Sequence, residues 1–223
     1  MRRMKYRRLA NVLAPLFLIA IAGFSTSHAD SFATQVSASA DDARVYGSIM
    51  ETASSDALVG YTGYYHCDFL ARFGDILVPQ DATVDSAFLI MRASSSQSGT
   101  VCSGVVYAEN TAAADAFSTY ADYANRAVTD NSVDWYDFPP LASGDWLRSP
   151  DIRDVVGEIV GRPDWVEGNA LALFIRDNNS SSGAVRRFSA YDSNSAYACS
   201  LLVYYSVSTA EPEVIPRRRR VTE

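Results

Sequence analysis

Lysine is almost missing from this chain of 223 residues: Lys5 stands alone, and histidine is confined to His28 and His66. Cysteine is scarce as well, with Cys67, Cys102 and Cys199. These shortages remove most of the groups that do chemistry. A Ser-His-Asp triad would have to be built on His66, and nothing around Ser54, Ser55 or Ser103 resembles a nucleophile elbow. A zinc site needs three or four His or Cys ligands, and the adjacent His66 and Cys67 point to opposite faces of a strand. Positive charge is also short, with 19 Lys and Arg against 26 Asp and Glu for a formal charge of -7. Nucleic acid is therefore not an expected partner, because phosphate binding rests on clustered positive charge. Long apolar runs are limited to residues 9–24, interrupted by Asn11 and Pro15 and shorter than the roughly 20 residues that cross a bilayer.

What is present begins with a leader. Four arginines and Lys5 in residues 1–8, the apolar run, and small residues at Ser27 and Ala29 form a signal-peptide pattern with cleavage expected after Ala29. No cysteine lies at the cut, so a lipid anchor is not expected. The mature chain would be secreted, extracellular or periplasmic, and not inserted in a membrane. Losing five positive and no negative charges moves its formal charge to -12. Residues 30–207 then read as one domain and 208–223 as a disordered tail carrying Arg217 to Arg220.

Residues 148–175 carry the clearest structural signal. Ser149 as cap, Pro150 at the first helical position and Asp151 at the positive end of the dipole predict a helix, which Gly161 and Pro163 stop. Ile152, Val155, Val156, Ile159 and Val160 form its apolar stripe. The unbroken apolar run 170–175 predicts a strand covered on both faces. Further strands are expected at 66–73, 86–93, 100–109, 185–192 and 199–207, with weaker ones around 34–38 and 44–50, separated by polar turns. Residues 114–127 suit a short helix or a loose excursion, and 132–141 an edge strand ended by two prolines. About eight strands with one or two short helices predict an all-β, antiparallel, jelly-roll-like sandwich. In an oxidising compartment one disulfide is expected, with Cys67–Cys102 favoured among three pairings; three buried free thiols is the alternative.

The segments LARFGDILVPQDATVDSAFLIMRA, SVDWYDFPP, SPDIRDVVGEIVGRPDWVEGNALALFI, RRFSAYD and LLVYYS, taken in order, resemble the DNRLRE-type secreted β-sandwich domains grouped with alginate-binding carbohydrate-binding modules. The matching features are Arg72 with Phe73, Pro79, Asp81 to Val84, Ser86 with Ala87, Val133 to Trp135, Trp165 to Asn169 and Leu201 to Tyr205. The resemblance spans roughly Gln35 to Ser206 and implies a jelly-roll-like sandwich, often non-catalytic, with polysaccharide binding in some members. The namesake motif is absent, and the segment Tyr61 to Cys67 stands outside the pattern.

Aromatic residues supply the candidate ligand contacts, since flat rings pack on the apolar faces of sugars. Tyr61, Tyr64 and Tyr65 in a glycine-containing loop, and Trp146 after Gly144 and Asp145, are the expected exposed ones, with Trp135 and Trp165 in the core. No cofactor is expected beyond a structural calcium, for which Asp41, Asp42 and Asp177 are the candidate ligands. The leading expectation is a secreted non-catalytic module that binds extracellular or cell-surface polysaccharide. The alternative is a structural subunit of a surface layer, appendage or matrix, signalled by an apolar patch or an unpaired edge strand. A lower alternative, a polysaccharide lyase, would need Tyr64, Tyr65, His66 and Arg72 around one sugar, yet His66 and Arg72 lie about 20 Å apart along a strand.

Overall fold

The computed structural model describes residues 26–97 and 100–209. In chain order its elements are β1 (Thr26–Gln35), β2 (Asp42–Tyr46), β3 (Ile49–Glu51), β4 (Asp56–Tyr61), β5 (His66–Phe73), β6 (Thr83–Arg92), β7 (Gly104–Ala108), α1 (Tyr120–Asn125), β8 (Val133–Trp135), β9 (Trp146–Arg148), α2 (Arg153–Val160), β10 (Leu171–Asp177), β11 (Val185–Ser189) and β12 (Ser200–Thr209). The strands form two antiparallel sheets. The smaller has the order β1-β12-β6-β9; the larger runs β11-β4-β5-β10-β7-β8, with β2 paired to β5 and β3 to β2. Consecutive strands cross between sheets, as β5 to β6 and β6 to β7 do, so the chain winds a jelly-roll-like sandwich rather than two separate meanders.

Alternation along each strand fills the space between the sheets. Ala87, Leu89 and Met91 of β6 and Leu201, Val203 and Tyr205 of β12 meet Phe69, Ala71 and Phe73 of β5 and Leu171, Leu173 and Ile175 of β10. Trp135 and Trp165 are buried here, the latter donating its indole N–H to the Val78 carbonyl at 3.0 Å. Helix α2 buries Val155, Val156, Ile159 and Val160 and packs on β6. Its start differs from expectation. Ser149 Oγ accepts from Leu89 N–H at 2.9 Å and Asp151 Oδ1 from Ala87 N–H at 3.0 Å, so these side chains extend the edge bonding of β6, and the helix begins only at Arg153.

A second, smaller core lies on the outside of the larger sheet. Ala43 and Val45 of β2, Leu70 of β5, and Ala172 and Phe174 of β10 are covered by Ala114, Phe117 and Tyr123 from the excursion that carries α1. This explains the unbroken apolar run of β10: its odd residues face the main core and its even residues the second one. Thr119 caps α1 through the Asp122 N–H at 3.1 Å. Arg126 fastens the excursion, pairing with Glu109 and Asp122 at 2.8 Å each while its guanidinium stacks 4.9 Å from the Phe117 ring.

Several expectations need correction. The three cysteines are free and buried, so the Cys67–Cys102 bridge is not formed; each sulfur faces a backbone carbonyl, of Tyr65, Val59 and Ser200 in turn. Burial pushes the Cys67 thiol up to about 11 and raises Cys102 and Cys199 as well, which keeps all three protonated and poor nucleophiles. Strands β4 and β9 were not anticipated. In β4, Gly60 has φ +121°, and a side chain there would strike the Ala184 carbonyl and the Cys102 sulfur. Residues 1–25 of the expected leader and 210–223 of the expected tail lie outside the described residues; the expected cut after Ala29 falls within β1, and residues 208–209, expected in the tail, end β12.

Candidate binding surfaces

A groove runs over one end of the larger sheet, where β2, β4 and β11 bring distant residues together. Its central part, about 310 Å³, is lined by Arg44, Tyr46, Leu58, Thr62, Tyr65 and Arg187. It continues on one side into about 330 Å³ beside Ser95, Ser96 and Gln97, and on the other into about 550 Å³ beside Met50, Glu51 and Ser54. Asp56 lies between the two arginines, bonded to Arg44 and 2.7 Å from Arg187. Glu51 accepts from Arg44 at 2.6 Å and from the Tyr46 hydroxyl at 2.9 Å. The Arg44 guanidinium holds Glu51 below the usual carboxylate range, and the Glu51 carboxylate in turn raises the Tyr46 phenol. Two cations thus meet two carboxylates, so the groove is close to neutral and rich in directed donors. Gln97 donates to the Arg187 carbonyl at 2.6 Å, while its own Oε1 is buried without a partner among the described residues.

Three of the four expected ligand contacts lie beside this groove. Tyr64 is 87% exposed and Tyr65 50%, the latter set edge-on to Tyr46 with ring centroids 6.3 Å apart. Tyr61 is half-buried: its hydroxyl donates to the Gly63 carbonyl at 2.9 Å and its ring stacks on His66 at 4.7 Å. Trp146 is exposed but sits on the smaller sheet, edge-on to Tyr197, so the structure does not unite it with the tyrosines. Sequence reasoning missed Arg44, Tyr46 and Arg187, which only the sheet order brings beside Tyr65.

His66 and Arg72 do not assemble the lyase constellation. His66 Nδ1 lies 2.5 Å from Asp177 Oδ2, with the ring open to solvent. Behind it, Asp177 N–H donates to Asp68, which accepts the Tyr123 hydroxyl at 2.7 Å, and that hydroxyl accepts from Arg176 at 2.9 Å. Burial raises Asp68 above its ordinary value despite these donors. Arg72 is committed elsewhere, to Asp41 at 2.6 Å and the Ala114 carbonyl at 2.8 Å.

The candidate calcium ligands do not converge either. Asp41 is taken by Arg72, Asp177 by His66, and Asp42 accepts the Tyr191 N–H at 2.8 Å. Burial pushes Asp42 up to about 7. Among the described residues no group of three or more His, Cys, Asp and Glu stands together.

The outer face of the smaller sheet has a different character. Ala33 of β1, Leu202 and Tyr204 of β12, Phe88 and Ile90 of β6, and Trp146 of β9 share it by register. Tyr204 is 44% exposed and Trp146 52%. An antiparallel sheet that faces water ordinarily alternates apolar-in with polar-out. Here the outward positions at the centre are apolar too. Beside this face, the outer edge of β1 has no strand partner among the described residues.

No family profile and no curated protein sequence matches the chain. Among solved structures, one of Desmodium yellow mottle tymovirus is similar at 8% identity and a TM-score of 0.33, covering 91% of this chain and 98% of that one. A cryo-EM structure of Mud crab tombus-like virus is similar at 9% identity and 0.31, covering 93% and 94%. Likenesses of this size carry no argument about function.

Proposed function

We propose that the chain is a non-catalytic structural subunit, a β-sandwich block that enters a surface layer, appendage or extracellular matrix through the smaller sheet. The observation that supports this reading is the outward row of half-buried Phe88, Ile90 and Leu202 with exposed Tyr204 and Trp146, beside an edge of β1 that has no strand partner among the described residues. Apolar surface of this kind gains about 25 cal/mol per Å² when a neighbour removes it from water, and an open edge strand offers a row of backbone donors and acceptors. Sedimentation velocity of the purified protein over a hundredfold concentration range tests it. Assemblies that grow with concentration and shrink in Leu202→Ser support the subunit; a monomer throughout overturns it.

A second reading, a polysaccharide-binding or adhesion module, is favoured by one observation: the open groove in which Tyr46 and Tyr65 stand beside Arg44 and Arg187. Native-gel retardation by a neutral or anionic polysaccharide, lost in Tyr65→Ala, would establish it in place of the subunit if self-association is absent.

A further inference from the structure

The outer face of the smaller sheet is charged at its two ends with opposite sign. Along β6, Asp85 lies at one end, accepts from Ser206 Oγ at 3.4 Å, and lines a shallow depression with Asp30 and Tyr204. At the other end Arg92 stacks 4.0 Å from the Tyr197 ring, and Arg148 of the neighbouring β9 lies 4.6 Å from the Phe88 ring. Neither arginine is ion-paired among the described residues, whereas Arg44, Arg72, Arg126, Arg153, Arg162 and Arg187 each pair with a carboxylate. Each is held over an aromatic ring without a carboxylate partner among the described residues.

We infer that the occupant is a second copy of this chain, laid face to face and antiparallel about a two-fold axis near Phe88 and Leu89. The inference rests on the structural-subunit reading and gives it a geometry. Asp85 is the extra residue where the pairing of β6 with β12 shifts register, which puts it on the same outer face as Arg92 although they are seven positions apart, over roughly 20 Å at about 3.4 Å per ladder step. A two-fold rotation about their midpoint exchanges the ends, so each Asp85 meets Arg92 of the other copy while Phe88, Ile90 and Leu202 meet in the middle. The reverse orientation would put carboxylate on carboxylate, and the formal charge of -7 makes unmatched association repulsive in general. A polyanion is a poorer occupant because it would run onto Asp30 and Asp85. A neutral sugar chain would find no hydrogen-bonding group on the side chains of Ile90 and Leu202. Four strands about 4.8 Å apart and the span above give a flat footprint of roughly 400 Å² per copy, below the about 800 Å² per partner of stable interfaces. The pairing is accordingly weak and concentration-dependent.

Charge reversal tests the geometry by sedimentation at low salt. Asp85→Arg alone and Arg92→Asp alone are each expected to weaken pairing at least tenfold. The equimolar mixture of the two single variants, and the double variant, are expected to recover it, which a folding defect would not do. If the parent associates and the single reversals leave its affinity unchanged, the two-fold geometry is overturned and the subunit reading survives. A parent that stays monomeric overturns both, and retardation of that monomer by an anionic polysaccharide, lost in Arg92→Asp, would identify a different occupant.

Discussion

On the outside of the larger sheet, Leu70, Ala172 and Phe174 lie buried beneath Ala114, Phe117 and Tyr123; on the outside of the smaller sheet, Phe88, Ile90 and Leu202 stay half-buried and Tyr204 exposed, with Arg148 laid over the Phe88 ring. Both sheets therefore carry apolar residues on both faces, and the difference is where the cover comes from. The larger sheet is covered from within by one excursion, fastened by Arg126 and by the contact of Arg72 with the Ala114 carbonyl. Its burial contributes to folding. The outward apolar surface of the smaller sheet stays partly open among the described residues, and under the proposed reading it is a contact between molecules that covers it.

The sharpest way to break this comparison is to make equivalent truncations on the two faces. Phe174→Ala, which empties a fully buried position beside Phe117 and Tyr123, is expected to cost about 3–5 kcal/mol in urea unfolding. Arg126→Ala is expected to cost about 3 kcal/mol, because burial already raises Glu109 and the loss of its partner strands the carboxylate. Hydrogen exchange should show that loss first in the amides of α1. By contrast Tyr204→Ser, on the open face, should change unfolding by less than about 1 kcal/mol while reducing self-association. Similar costs on both faces would mean that the smaller sheet is also covered within the molecule.

Asp42 gives a smaller, pH-resolved effect. Its folded value of about 7 lies above its ordinary 3.8, so the folded state holds this proton more tightly than the unfolded chain does. The associated stability is fully present below about pH 4 and is lost as pH rises through about 7. Asp42→Asn keeps an acceptor for the Tyr191 N–H and removes the titration. Urea midpoints of the parent minus those of the variant should fall between about pH 4 and 7 and level off above; a constant difference would contradict the assignment.

The same comparison shows how far the sequence could be followed. The run 170–175 was legible as a strand buried on both sides because it is apolar at every position, and β5 was read with its observed bounds. Yet the runs in β6 and β12 are nearly as apolar, and such a run cannot tell whether its outward residues are covered by the same chain, by another, or by neither. The helix stripe was legible from its period, but Ser149 and Asp151 bond to β6, a choice set by tertiary proximity. Exposure of Tyr64, Tyr65 and Trp146 could be read from their glycine-marked loops. Their separation onto two sheets, and the convergence of Arg44, Tyr46 and Arg187 on Tyr65, depend on strand order. That order is fixed by pairings between residues more than a hundred positions apart, as in β4 with β11.

Hydroxyl-radical footprinting of the purified protein, dilute and concentrated, tests most directly whether the open sheet face is where molecules meet. The account predicts that concentration protects Phe88, Trp146 and Tyr204 and leaves Tyr64 and Tyr65 unchanged. Equal reactivity of Phe88, Trp146 and Tyr204 at both concentrations, or protection confined to the groove tyrosines, would contradict it.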